Sequence, residues 1–587
     1  MEEFTQDWQE YLNGIDFKNQ VNLYNKVNKA ERFYSGDQWN GVVANGLPTP
    51  VLNIIKRIIQ WKVSQIMSQS IKYQYSIDNI ADDTQDQKEQ DLKRVSEIIS
   101  DYSVAVCKKV KQEILNEKIL LKGAISGGSL LYDRWDPNVK TYQDDIKGAI
   151  KSEIVSSANY YPSNPNDTDV QSQQCIRLVF RELVDNVRKE AKSNGISDDE
   201  IEKIVSDDDT TYLAGDVSKI EVESKKHGKC LVILAMYKKD EEVWFRKSTK
   251  SVLIQKDTNS RLSRYPVALF NWDEREASAY GEGEAYSLID NQISINKLLA
   301  MAILSTMNAA YPKCVYNEAL VGKPNNQVGA CIPIKGGPEA PLKNVIDWTT
   351  PGEISQDVYK IVDILIQQTK EMNGATEVAM GEVKPDNTSA FIAVNQASIV
   401  PLESVQRRFY NFEEDVALNR LDMMLTYYNE PRKLQFTKNG QNMVEVLKLS
   451  DYKDNVAWNV SVDVGPSSRW SEVASMQTLD KLLESEKITF IEWLERVPKG
   501  IVPKLKELLE LRKQQAEQEA QMAAEQAKQQ AMQQQQQQQP QQPNEDDMVQ
   551  FVKSLPQDMQ QQISSIEDDE EQRQVILQLM QESQQAA

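Results

Sequence analysis

The chain reads as an α+β protein, mostly helical, and three features of the sequence predict that class. Residues 281–429 hold long runs with apolar residues three and four apart, broken by a Gly-, Pro- and Asn-rich insert at Pro312–Thr350. Residues 150–280 alternate short β-rich runs with turns, and residues 1–150 are again mostly helical. Two helices that leave and return from a small tip make a spoke. Such a shape suits assembly with copies of itself better than it suits a catalytic pocket.

The elements follow in order. Phe33-Tyr34-Ser35-Gly36-Asp37-Gln38-Trp39 reads as an aromatic turn, and Pro48 and Pro50 precede a strongly apolar helix at Val51–Ile59. Residues 86–125 read as one long helix ending at glycine, and Ser129–Trp135 as a strand. In the middle, Ile176–Phe180 and Leu231–Tyr237 are the clearest strands, with a charged surface helix at Asp185–Ser206 between them and a turn at Tyr161–Pro165 before them. The first spoke helix, opening at Gly281-Glu282-Gly283-Glu284, carries the stripe Ile295, Leu298, Leu299, Ala302, Ile303, Met307 and Ala310. The second has Val358, Ile361, Val362, Leu365, Ile366 and Met372, with Thr350, Pro351 and Glu353 as start signals and Gly374 as the stop. In the insert, Lys313–Tyr316 and Ala330–Ile334 read as strands around Gly336-Gly337-Pro338. A third helical run fills 388–429, and strand-like sequence follows to Gly465. Beyond it come helices from 468, a capping box at Thr489–Glu492, and one run from Pro503 to about Met532 striped only by alanine. If helical, that run spans about 45 Å. A glutamine tract at 533–539 leads to an acidic tail, expected to be disordered apart from two short amphipathic helices at Met548–Leu555 and Arg573–Met580.

Composition removes several function classes. At 587 residues the chain is long enough for several domains. Its formal net charge of −21 argues against a nucleic-acid grip over the whole surface, since each phosphate contact needs a cation. Five scattered cysteines suggest no metal knuckle and read as reduced thiols. The N-terminus, Met1-Glu2-Glu3-Phe4, does not read as a signal peptide. Leu298–Ala310 reads as too short and too polar to span a bilayer, so no membrane partner is expected. No GxxxxGK(S/T) occurs, and the single histidine, His227, excludes HExxH sites and His-based triads. No catalytic residue, metal or cofactor is expected.

Some weaker features remain. Asp273, Glu274, Glu276, Glu282 and Glu284 form a carboxylate cluster before the first spoke helix. It would serve a metal-dependent hydrolase or nuclease, but helix N-terminal charge and ion pairing explain it more simply. Lys313, Lys323, Lys335 and Lys343 put positive charge in the insert, and Arg407-Arg408 suits either a neighbouring subunit or channel, or an ion pair with Glu403 or Glu413. The loop Gly374–Ser389 is longer than the ~2–8 residues usual between helices, and long loops often carry function. A coiled-coil scaffold built on the Gln-rich helix is disfavoured by the β-rich middle.

The chain resembles the portal proteins, the head-to-tail connectors of tailed double-stranded DNA bacteriophages. The resemblance rests on Tyr34-Ser35-Gly36-Asp37-Gln38-Trp39, Pro50-Val51-Leu52-Asn53-Ile54-Ile55-Lys56, and Gly281-Glu282-Gly283-Glu284-Ala285 with Leu288–Gln292 and Asn296-Lys297-Leu298. Val464–Arg469, Leu479–Leu483 and Trp493-Leu494-Glu495 complete the order, which covers roughly residues 25–510.

The resemblance implies a portal-like plan. Residues 1–283 would be the N-terminal wing, 284–311 and 353–373 the stem helices, and 312–352 a small clip. Residues 374–389 would be the tunnel loop, 390–465 the long helix and C-terminal wing strands, 466–532 the crown with a candidate barrel helix, and 533–587 the tail. Leu299, Ile303, Met307, Ile361 and Leu365 would pack between subunits. Lys313, Lys323, Asn325, Lys335 and Lys343 would dock partners, and Thr376, Glu377, Met380, Glu382, Lys384 and Asn387 would line a DNA channel. The implied assembly is a ring of twelve, made in the host cytoplasm and placed at the capsid vertex of the virion. Its implied partners are the terminase large subunit, the head-tail adaptor, the major capsid and scaffolding proteins, and double-stranded DNA held transiently without sequence preference. The alanine-striped helix, unable to bury a wide stripe alone, fits packing against neighbours in such a ring.

Overall fold

The computed structural model describes the chain except residues 1–2, 79–85, 207–227, most of 311–356, 376–379, 381–399, 465–468, 498–507, most of 516–543, 586–587 and a few isolated positions. It divides into two compact units, Met1–Ser471 and Glu472–Ala587.

The first unit opens with α1 (Glu3–Gln20), α2 (Leu23–Ser35) and α3 (Ile54–Ile66), followed by β1 (Ile71–Ile77). The predicted aromatic turn is corrected here. Phe33, Tyr34 and Ser35 finish α2, and the turn begins only at Gly36, whose φ of 98° supplies the left-handed stop. The single helix expected over 86–125 is two, α4 (Gln87–Val110) and α5 (Gln112–Ser126). They break at Lys111 (φ 58°), which caps both. Periodicity cannot show such a break, because the apolar stripe resumes one residue later.

A three-stranded antiparallel sheet follows, in the order β3-β2-β9, from β2 (Gly128–Lys140), β3 (Lys147–Ser156) and β9 (Val267–Asn271). A five-stranded antiparallel sheet runs β4 (Tyr160–Pro162), β5 (Cys175–Leu183), β6 (Lys229–Lys239), β7 (Glu242–Ser248) and β8 (Leu253–Leu262) in chain order. Its central strand β6 is buried at seven consecutive positions, so it reads as an apolar run rather than an alternating one. The surface helix between β5 and β6 is two pieces, α6 (Val184–Ser193) and α7 (Asp198–Glu202), separated at Gly195 (φ 78°).

The small hairpin β10 (Asp273–Arg275) and β11 (Ser278–Glu282) leads into α8 (Glu284–Ser287) and α9 (Ile289–Ala310). Gly281 is thus strand, not helix. In the insert, β12 (Cys314–Tyr316) pairs with β13 (Ile346–Trp348), whereas the expected strand at 330–334 lies outside the described residues. The return helix is α10 (Asp357–Met372), and its predicted start signals also lie outside the description. α11 (Glu403–Tyr427) is followed by the hairpin β14 (Arg432–Lys438) and β15 (Gln441–Leu447), and then by β16 (Trp458–Val464). β16 pairs antiparallel along the whole of β1, joining segments nearly 400 residues apart, from Ile71↔Val464 to Ile77↔Trp458. Among the described residues no sheet closes into a barrel.

Beside two smaller cores, around Val187 and Ile254 and around Tyr11 and Ile233, two large apolar cores dominate this unit. One gathers Tyr73, Val95, Ile99, Leu130, Leu421 and Met424 around β1 and β16. The other collects Ile55, Ile58, Leu120, Phe270, Ile289, Ile295 and Phe409 and roots α9.

In the second unit, α12 (Arg469–Glu484) precedes α13 (Phe490–Arg496). The capping box at Thr489 and Glu492 forms as the sequence predicts, and Phe490 stacks on Trp493. The two amphipathic helices expected in the tail form as α14 (Glu545–Ser554) and α16 (Asp569–Gln585), and the stretch between them, expected to be disordered, holds a third helix, α15 (Gln557–Ser564). Met548 and Ile563 are buried there, two apolar anchors in an acidic sequence.

Candidate functional site: the stem and its root

The residues that carry the sequence motifs meet at the root of α9. Gly36 ends α2 so that Gln38 can fold back. Its amide donates to Phe33 O at 2.9 Å, and its Oε1 accepts from Asn296 Nδ2 at 2.6 Å. Asn296 Oδ1 accepts from Gln292 Nε2 at 3.0 Å, and Gln292 Nε2 also donates to Leu52 O at 2.6 Å. Gln292 Oε1 accepts from the backbone of Ile54 at 3.0 Å. Asn53 caps α3 through Lys56 N and donates to Tyr34 O. Gln38, Gln292 and Asn296 are all buried. Each amide satisfies a group that would otherwise cost about 1–3 kcal/mol to bury unpaired. Three sequence-distant motifs thus form one joint between the stem helix and the body. Sequence reading saw the motifs but assigned these residues no role, because the hydrogen bonds span about 240 positions.

The glycines of Gly281-Glu282-Gly283-Glu284 serve packing. A Cβ on Gly283 would stand 2.6 Å from Ile125 O, and one on Gly127 (φ 96°) would stand 2.3 Å from Gly281 O. Only bare backbone allows β11 to cross the end of α5 this closely.

The carboxylates are dispersed among separate cations. Glu282 pairs with Lys26 at 3.0 Å, Glu284 with Lys62 at 2.9 Å and with Trp272 Nε1 at 3.0 Å, and Asp273 with Arg408 at 3.5 Å. Glu274 and Glu276 are exposed. Among the described residues no group of three or more His, Cys, Asp or Glu could hold a metal ion. The hydrolase alternative therefore has no support. Arg408 also donates to Trp272 O at 2.6 Å, so its partners are neither Glu403 nor Glu413. Glu413 is instead fully buried, accepts from the Tyr73 hydroxyl, and has an Oε1 without a hydrogen-bond partner. Burial lifts its carboxyl to about 7. Beside it, Arg420 and Asp133 form a buried ion pair at 3.1 Å.

Beyond the root, the stem changes character. α9 and α10 pack together, with Asn291 Nδ2 on Thr369 Oγ1 at 3.2 Å. Toward the tip, Met301, Ile303, Met307, Tyr359, Ile361 and Ile364 are exposed. Leu299, Ala302, Ile303, Thr306, Met307, Ala310 and Tyr359 line an open apolar groove of about 320 Å³. Of the predicted packing residues, Ile303, Met307 and Ile361 are exposed, and Leu299 and Leu365 are half-buried. As a whole helix, α9 is long and apolar enough to cross a membrane, with a mean hydropathy of 1.3, contrary to the reading of its C-terminal part alone. Its root, however, is fixed in protein by Gln292 and Asn296.

Of the predicted channel residues, Met380 is half-buried against the second core, and Thr376, Glu377, Glu382, Lys384 and Asn387 lie outside the described residues. Of the docking residues, Lys335 is exposed and its backbone donates to Leu320 O, while Lys313, Lys323, Asn325 and Lys343 lie outside, as does His227.

A body with a rooted helical spoke and an uncovered apolar face defines a structural assembly component. The chain matches the family model for phage P22-like portal proteins over residues 15–587 and belongs to that family. It is a phage portal protein, a head-tail connector with a structural role, and membership implies a capsid-associated ring oligomer at a capsid vertex. No curated protein matches the chain.

Proposed function

We propose that α9 and α10 line a channel through which viral double-stranded DNA is packaged and ejected, with their apolar tips packed between neighbouring copies. The observation that carries this reading is the set of exposed apolar side chains Ile303 and Met307 on α9 and Ile361 and Ile364 on α10. Leaving one such side chain in water forgoes about 1.5–3 kcal/mol relative to burial. A contiguous set of them marks an interface. Leu299 and Leu365, half-buried within one chain, complete that contact between copies. Twelve copies would close the ring. The insert at 312–352 would dock the terminase motor and later the head-tail adaptor, and residues 374–389 would face DNA. The chain's acidity suits passage without adhesion, since a polyanion is held only where cations gather. No catalytic group is required for any of these steps.

Native mass spectrometry and negative-stain imaging of the full chain test the reading. Closed rings are expected, and Ile303→Asp with Ile361→Asp should yield folded protomers that no longer close. A wild-type chain that stays monomeric at all concentrations would overturn it.

A further inference from the structure

The loop between α2 and α3 is apolar where loops are ordinarily polar. Val42, Val43, Leu47, Val51 and Leu52 are all exposed, Val43 at 79%. Single exposed aliphatics are ordinary, but five within eleven residues are not. The loop is also built to hold one shape. Asn45 (φ 45°) and Gly46 (φ 82°) make a turn closed by Leu47 N donating to Ala44 O at 2.8 Å. Trp39 Nε1 donates to Pro50 O at 2.9 Å and closes the neck, and Pro48 and Pro50 stiffen the return. An arm ordered before binding loses little entropy on docking.

The arm's position indicates what covers it. Its C-terminal end is pinned to α9 by Gln292 on Leu52 O and Ile54 N. Gln292, Asn296, Leu299, Ile303, Met307 and Ala310 recur at three- and four-residue steps, so they share one stripe of α9. The stripe that holds the arm's neck therefore continues into the open apolar groove at Leu299, Ile303 and Ala310. The arm's neck and the groove thus lie along one stripe of α9, joined through the buried amides of Gln292 and Asn296. A cyclic ring needs heterologous contacts, in which one face of a subunit meets a different face of the next.

We infer that the arm Val42–Leu52 is a subunit-to-subunit contact, seated on a second copy of this chain together with the groove. The inference rests on the ring reading and adds to it a contact at the stem's root that the apolar stem helices alone would not supply.

The full chain carrying Val43→Asp and Leu47→Asp tests it, alongside a chain with a photoreactive benzophenone amino acid in place of Val43. Both positions are exposed, so the protomer's thermal melting should match wild type. The expected result is a rise of about tenfold or more in the protomer concentration needed for rings, and a covalent dimer after irradiation of assembled wild-type-like rings. Wild-type rings with an equally assembled double variant and no dimer would overturn the arm contact and leave the ring reading standing. A wild-type chain that forms no rings would overturn the ring reading itself.

Discussion

The root and the tip of the stem are opposite solutions on the same two helices. At the root, polar side chains are buried, and each amide has its partners within the chain. At the tip, apolar side chains stand in water with none. The root completes itself, whereas the tip is left for a neighbour to complete. The difference shows that buried polarity can mark the finished end of an assembly component and exposed apolarity the unfinished end.

The largest expected effect breaks the tip alone. Ile303→Asp with Met307→Asp should abolish ring formation by native mass spectrometry, yet change protomer stability by no more than about 0.5 kcal/mol in denaturant titration, as for surface substitutions generally. A comparable loss of protomer stability would mean the tip is part of the chain's own core.

Breaking the root should do the reverse. Gln292→Leu leaves Leu52 O, Ile54 N and Asn296 Oδ1 without their partner, and the two buried ones, Ile54 N and Asn296 Oδ1, cost about 1–3 kcal/mol each. Urea unfolding should show a loss of several kcal/mol in the protomer, and an unchanged midpoint would remove the joint from the account.

Glu413 sharpens the same contrast deeper in the body. It faces Tyr73 on β1, Arg420 on its own helix, Gln112 and Asn116 on α5, and Cys107 on α4. Burial raises its folded pKa from the ordinary carboxyl value of 4.5 to about 7, so the native state keeps a proton that the unfolded chain releases. Its contribution to stability is full below about pH 4.5 and is lost as pH rises toward about 7. Glu413→Gln should flatten that part of the stability-against-pH curve measured by thermal melting, and an unaltered slope would place the titration elsewhere.

The smallest effect belongs to the second unit. Thr489→Ala removes the capping box of α13 and should lower its stability by about 1 kcal/mol, read by hydrogen exchange at the Glu492 amide.

How much was legible depended on range. The stem helices, the β6 run and the capping box were read from neighbours a few positions apart, where periodicity and cap chemistry act. The break at Lys111 and the short tail helix α15 were not, since one residue in a left-handed conformation and an eight-residue helix with a single buried anchor, Ile563, leave no periodic trace. At the candidate site, Ile303, Met307 and Ile361 were legible as an apolar stripe. That the stripe is uncovered was not, because the same stripe fits a helix buried in its own chain.

The sequence by itself determined the α+β class, the spoke and the absence of P-loop and His-based catalytic motifs, because composition and local periodicity carry that information. Only the tertiary structure decided that Gln38, Asn53, Gln292 and Asn296 form one joint, that Asp273, Glu282 and Glu284 each have their own cation while Glu274 and Glu276 lie in solvent, and that β1 pairs with β16. Those outcomes depend on which distant segments meet, and that is set by packing of the whole unit rather than by any window of residues.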